Sequence, residues 1–254
     1  TGKMLKANSK LIDEAVPFNM EADSLNASII GEDAIPGTEE FDLYIKEVQK
    51  EMTVKAGQKC TAIRRIIVPE KLVEDVQNAL CAQLSKTIIG DPAVEGVRMG
   101  SLAGNPQVVE VSEKVNELAE SQDIIYGDLE NFDVVGANKN KGAFIPPILF
   151  LNDNPFKKTD CHIIEAFGPV STILPYKNLD EAIELARMGK GSLVCSIVTS
   201  DDNIAREFTV NAASMHGRIL VLNKDCAKES TGHGSPMPLL THGGPGRAGG
   251  GEEM

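Results

Sequence analysis

Apolar runs of five to eight residues alternate with amphipathic stretches of ten or more along most of the chain, and this alternation limits the fold more than any other feature. Runs that short fit strands buried on both faces, and the stretches between them are long enough to cross over as helices. From Thr38 to Lys55, Phe41, Tyr44, Ile45, Val48 and Met52 recur at helical spacing, with Thr38 placed to cap the start and Gly57 to stop the end. Ala62 to Val68 reads as a buried strand carrying two arginines, and Pro69 opens a second helix that runs to about Leu84. Pro106 opens another through Val109, Val115 and Leu118, followed by a short strand around Ile124 to Tyr126. The rhythm resumes with strand Val170 to Tyr176, helix Leu179 to Met188, strand Leu193 to Thr199, helix Asn203 to Ala213 and strand Arg218 to Leu222. The expected class is α/β, a parallel sheet flanked by helices. Loops fall at Gly90 to Pro92, at Asn138 to Gly142 and in the Gly- and Pro-rich tail Gly232 to Gly251. Loops at the carboxyl ends of parallel strands usually build the site in such folds, so chemistry is expected there.

The 254 residues carry 25 Lys and Arg against 37 Asp and Glu, a net charge of −12, which argues against a basic nucleic-acid footprint. The longest apolar runs, Phe144 to Leu151 and Ser192 to Thr199, fall far short of the ~20 residues of a spanning helix, so no membrane partner is expected. Five cysteines, an odd number without a CxxC, supply neither a disulfide framework nor a zinc ribbon and fit a reducing, cytoplasmic compartment. The chain opens on Thr1 rather than Met and stops inside a glycine-rich stretch, so truncation at both ends is expected.

Cys60 sits between a helix end and a strand start, with Lys59, Arg64 and Arg65 nearby. Cations lower a thiol pKa and a junction loop gives access, so a nucleophile is one reading; a small buried hydrophobe is the other. Cys81 and Cys195 lie among apolar neighbours and read as packing. Cys161-His162 invites a Cys–His pair, but adjacent side chains on a strand point to opposite faces, and a metal needs further ligands that no spacing supplies. No metal is therefore expected. His216, His233 and His242 stand apart in loops and read as solvated or hydrogen-bonded. Gly244 to Gly249 satisfies GxGxxG, yet it follows a Pro-rich loop and meets the chain end, so it reads as a flexible turn. By charge alone, Glu21 and Glu165 are surface carboxylates.

Six blocks in order resemble the aldehyde dehydrogenase superfamily: Thr1-Gly2, Met20-Glu21, Gly57-Gln58-Lys59-Cys60, Glu165 to Val170, Gly217 to Asn223 and the tail Gly243 to Glu253. The resemblance implies an aldehyde dehydrogenase-like fold in which residues 1–23 end a cofactor-binding domain, 24–231 form the catalytic domain and 232–254 return toward the site. It implies Cys60 as nucleophile and Glu21 as general base. Glu165, Phe167 and Gly2 are the implied cofactor contacts, with Glu165 on the nicotinamide ribose and Phe167 against the nicotinamide. NADP is the implied cofactor, with NAD open, and a homo-oligomer the implied assembly. The segments Met20 to Asn26, Glu51 to Arg65 and Lys228 to Gly251 are similar to a branch that oxidises CoA-linked semialdehydes in phenylacetate breakdown, with a related benzoyl-CoA branch as the alternative. Ala22-Asp23 stands where the superfamily commonly has Gly-Gly. The 254 residues begin after the point where the resemblance places the superfamily's cofactor fold, so a catalytically silent interaction module is the competing expectation, and an acyl-CoA-releasing dehydrogenase a third.

Overall fold

A computed structural model describes residues 2–235 and 242–249. The chain begins with two single-turn helices, α1 (Gly2–Lys6) and α2 (Ser9–Asp13), then a two-residue strand β1 (Met20–Glu21). The main sheet comprises β2 (Asn26–Ile30), β3 (Ile63–Pro69), β4 (Asp123–Tyr126), β5 (Ile148–Leu151), β6 (Val170–Tyr176), β7 (Ser192–Val198) and β8 (His216–Leu222), in the order β4-β5-β6-β3-β2-β7-β8. All neighbours are parallel except β4 on β5 at one edge. The α/β expectation holds.

The helix predicted over 38–55 is α3 (Glu39–Thr53), and Thr38 caps it by accepting from the Phe41 amide at 3.2 Å. Pro69 closes β3 instead of opening a helix. A 3-10 turn, Glu70–Leu72, intervenes before α4 (Val73–Leu84). Next come α5 (Asn105–Ala119), with Pro106 in its first turn, α6 (Leu179–Arg187) and α7 (Asp202–Ala212). Successive residues of a strand face opposite ways. Ile66 and Val68 accordingly pack with Tyr44, Met52 and Leu80 from α3 and α4, while Ile67 packs with Leu185 and Phe208 from α6 and α7. A third cluster joins Val111 and Val115 of α5 to Phe150 and Val170.

The two arginines of β3 are buried on opposite faces. Arg65, fully buried, donates to the carbonyls of Leu185 at 2.6 Å, Ala186 at 3.0 Å and Leu25 at 2.9 Å. Leu185 and Ala186 lie in the last turn of α6, whose carbonyls lack helical partners and carry the negative end of the helix dipole. The guanidinium thus ties α6 to the middle of the sheet.

The tail does not hang free of the fold. Residues Ala248–Gly249 form β9, which pairs antiparallel with β1, Met20 against Gly249 and Glu21 against Ala248. The turn at Gly244 to Gly249 is therefore anchored rather than flexible, and Arg247 N also donates to Lys190 O at 3.2 Å. Thr1 and residues 236–241 and 250–254 of the expected return lie outside the described residues.

Candidate active site

Glu21 precedes β2, Cys60 precedes β3 and Glu165 precedes β6. Because these strands are parallel, the three residues gather at one edge of the sheet, and it is the amino edge. The expected carboxyl-end location is corrected: the site is built by loops entering strands, and α3 feeds Cys60 to them through its own C-terminal end.

That delivery uses a tight turn. Lys55, Ala56 and Gly57 adopt left-handed backbone in succession, with φ of 55°, 51° and 68°. Two of these are not glycine, a conformation kept only where surroundings enforce it. At Gly57 the space itself forbids a side chain, since a Cβ would stand 2.2 Å from the Gly168 carbonyl oxygen. Buried Arg64 clasps the same two loops, donating to Gly57 O at 2.8 Å and to Gly168 O. Asn26 fixes the far side of the Cys60 loop, donating from Nδ2 to Cys60 O at 2.8 Å and to Ala62 O at 2.9 Å.

Cys60 is half-buried, and its surroundings differ from the expected cationic cradle. Lys59 turns away to pair with buried Glu51 at 2.7 Å, Arg64 serves the two carbonyls, and Arg65 serves α6. Burial and the neighbouring Glu21 carboxylate push the thiol up from its ordinary value. His242, on the return segment, places Nε2 3.9 Å from Cys60 Sγ and 3.7 Å from Glu21 Oε2. The donor atoms of all three residues lie within 4.8 Å of one another.

On the same cleft, the Glu165 side chain is 11% exposed, accepts from Ser24 N at 3.4 Å and lies 3.7 Å from Arg64 Nε. Burial raises its pKa against the opposing pull of Arg64. Phe167 is exposed with its ring 5.5 Å from the Arg64 guanidinium carbon. Gln58 spans the entrance, donating to Phe167 O at 3.3 Å and accepting from Ala103 N at 2.7 Å. These residues line a cleft of about 1110 Å³ together with Glu21, Cys60, Glu110 and Lys114. Gly2 is not among its lining residues. It opens α1, where a Cβ would stand 3.0 Å from Met20 Sδ.

The remaining histidines are structural. His162, 2% exposed, takes part in a 3.2 Å contact from Nδ1 to Arg65 Nη1 and a 3.1 Å contact from Nε2 to Pro155 O, so the Cys161-His162 pair is packing and not chemistry. His216 heads β8 with Nδ1 2.7 Å from Ser192 Oγ, and His233 is fully buried with Nδ1 2.8 Å from Ser196 Oγ. Neither is solvated in a loop. His242 was the residue that sequence spacing missed, standing 182 positions from Cys60.

Fold and site together define an α/β protein with a thiol and a carboxylate facing each other at the amino edge of a parallel sheet. The aldehyde dehydrogenase family model matches residues 1–234. A 3,4-dehydroadipyl-CoA semialdehyde dehydrogenase from Aromatoleum evansii is 38% identical over 245 residues, 96% of this chain and 48% of that protein. Protein MaoC from Klebsiella aerogenes is 46% identical over 157 residues, 61% of this chain and 45% of that protein. Among solved structures, betaine aldehyde dehydrogenase from Staphylococcus aureus in complex with NAD+ superimposes with a TM-score of 0.81 at 20% identity, covering 98% of this chain and 46% of that one. The chain belongs to the aldehyde dehydrogenase family. It spans about half the length of the curated relatives it matches.

Proposed function

We propose that the chain carries the nucleophile, base and nicotinamide-side contacts of an NAD(P)-dependent aldehyde dehydrogenase acting on a CoA-linked semialdehyde. The observation that carries this reading is Cys60 and Glu21 opposed on one cleft whose wall also presents Glu165 and Phe167. The Cys60 sulfur, once deprotonated, adds to the aldehyde carbon, and the carbonyl oxygen becomes an oxyanion for which the Cys60 amide is a candidate donor. NADP, when bound, supplies the hydride acceptor. Glu165 and Phe167 fit its nicotinamide end, because a nearly buried carboxylate suits ribose hydroxyls and an exposed ring suits a planar face. Loss of hydride leaves a thioester on Cys60. Glu21 takes a proton from the water that attacks it, releasing the acid and restoring the thiol.

The specific substrate we propose is 3-oxo-5,6-dehydrosuberyl-CoA semialdehyde of phenylacetate catabolism, supported by the segments around Glu21, Cys60 and the return. A second reading, 3,4-dehydroadipyl-CoA semialdehyde of benzoyl-CoA catabolism, is favoured by the name of the Aromatoleum evansii relative. In this proposal residues 1–23 end the cofactor unit, 24–231 form the catalytic unit and 232–254 close over the site. Gly2 belongs to the cofactor unit, and the working species is a cytoplasmic homo-oligomer. The five cysteines are all free, which suits a reducing compartment, and no helix among the described residues is long and apolar enough to cross a membrane.

Reduction of NADP and NAD with each CoA semialdehyde, with and without added CoA, tests the reading. Turnover of simple aldehydes but of neither CoA ester would refute the substrate class. Failure of any turnover, with no change in reduced NADP fluorescence on mixing, would return the silent-module reading.

A further inference from the structure

Three chemically different donors converge, the thiol of Cys60 and the carboxylate of Glu21, which line the cleft, and the imidazole of His242 beside them. Sγ and Nε2 are 3.9 Å apart, Nε2 and Oε2 are 3.7 Å apart, and all the donor atoms fall within 4.8 Å. A tetrahedral zinc ion holds sulfur at ~2.3 Å and nitrogen or oxygen at ~2.0 to 2.1 Å, which sets neighbouring donors ~3.4 to 3.6 Å apart. Two edges of such a tetrahedron are therefore within a few tenths of an ångström of closure. The third closes by rotation of the Glu21 side chain, which is 29% exposed. Among the described residues no other three such donors come together.

We propose that Glu21, Cys60 and His242 form a three-donor site for zinc or a similarly soft divalent cation, whose occupancy reversibly blocks the nucleophile. A thiolate with an imidazole selects such an ion over magnesium or calcium, which prefer all-oxygen shells. One thiolate and one carboxylate also match the charge of the ion, so binding leaves the cluster neutral. The metal–sulfur bond forms as the thiol proton leaves to solvent, and nothing is oxidised or reduced. Three protein ligands leave a fourth corner open to water from the cleft, the arrangement of an accessible site and not of a structural one. The sulfur lone pair that would attack a carbonyl is held by the ion. Ion binding does not depend on the dehydrogenase reading, whereas the block of the nucleophile rests on it.

Cobalt(II) titration of the metal-free chain is the test, because thiolate coordination produces a sulfur-to-cobalt charge-transfer band and tetrahedral sites give intense visible bands. One equivalent should bind and be displaced by zinc. Cys60→Ser should abolish the charge-transfer band, while Cys81→Ser and Cys226→Ser should keep it. His242→Ala and Glu21→Gln should each weaken cobalt at least about tenfold, the loss that removing even an outer partner of a metal ligand produces. Circular dichroism establishes that each variant is folded. A band that survives Cys60→Ser, an affinity unchanged in His242→Ala, or no band in the folded parent at millimolar cobalt would each overturn the proposal.

Discussion

Arg247 grips Asp23 with two guanidinium nitrogens, and the two residues stand 224 positions apart in the chain. The same arginine donates to the carbonyls of His162 at 3.0 Å and Ile163 at 2.8 Å. Asp23 occupies the second position of the pair that is commonly Gly-Gly in the superfamily. The departure now has a physical reason: the carboxylate gives the return segment a point of attachment two residues after Glu21.

A double-mutant cycle measures that attachment. Arg247→Ala and Asp23→Ala should each lower urea stability, with a coupling of about 1 kcal/mol, the upper end for partly exposed pairs because this one is two-pronged. Losses that simply add would show that the pair contributes nothing of its own.

Iodoacetamide labelling reads the state of Cys60. Among the thiols it alone lines the large cleft, so it should label first, but slowly at neutral pH, since burial and Glu21 hold its pKa up. Removing the adjacent negative charge favours the thiolate, so Glu21→Gln should speed labelling near pH 8. Slower labelling in that variant would mean that Glu21 extracts the thiol proton and does not oppose its loss.

Two glycines with left-handed backbone separate strain from contact. Gly37, at φ 92°, has nothing within 4 Å of an added Cβ, whereas Gly57, at φ 68°, meets Gly168 O at 2.2 Å. Gly37→Ala should cost about 1 to 2 kcal/mol for the conformation alone. Gly57→Ala should exceed ~3 kcal/mol and also change Cys60 labelling. Equal losses by urea denaturation would remove the clasp between the two loops from the account.

The buried histidines predict early acid unfolding. Burial and Arg65 lower His162 and His216 to about 3, and burial with Arg218 and Lys59 lowers His233 as well. For a depressed group, stability is complete above the unfolded value near 6.5 and is lost as pH falls toward the folded value. Each ring should cost roughly 1.4 kcal/mol per pH unit across that window. Melting temperature should therefore drop steeply between pH 6.5 and pH 5, and His162→Gln should flatten the slope. A flat profile down to pH 5 would contradict the buried neutral rings.

Elements whose burial is apolar and periodic were legible from the chain alone, as α3 with its Thr38 cap shows. The central strand β2 was not. Its sequence, Asn-Ala-Ser-Ile-Ile, buries polar side chains that are satisfied internally, as Asn26 is by Cys60 O, Ala62 O and Val194 N. Hydrophobic patterning is blind to polarity paid for in this way. Cys60 was singled out by its local context and by resemblance, Glu21 and Glu165 by resemblance, and the structure brings the three to one cleft with other electrostatics than expected. Arg64 and Arg65 face opposite sides of β3, and Lys59, in the loop before it, pairs with Glu51, so none of the three charges lies beside the thiol as expected. His242 carried no local signal at all, because it reaches the thiol only as part of the return segment, which the β1–β9 pairing and the Arg247–Asp23 pair anchor.

That short pairing has a consequence for biosynthesis. The strand bearing Glu21 leaves the ribosome more than two hundred residues before the strand that holds it, Ala248–Gly249. The sheet from β2 to β8 has all its strands by Leu222. A nascent chain can therefore hold a folded core with Cys60 in place while the carboxylate opposite it is still unfixed. The pairing of Glu21 with its strand partner waits until Gly249 has been made.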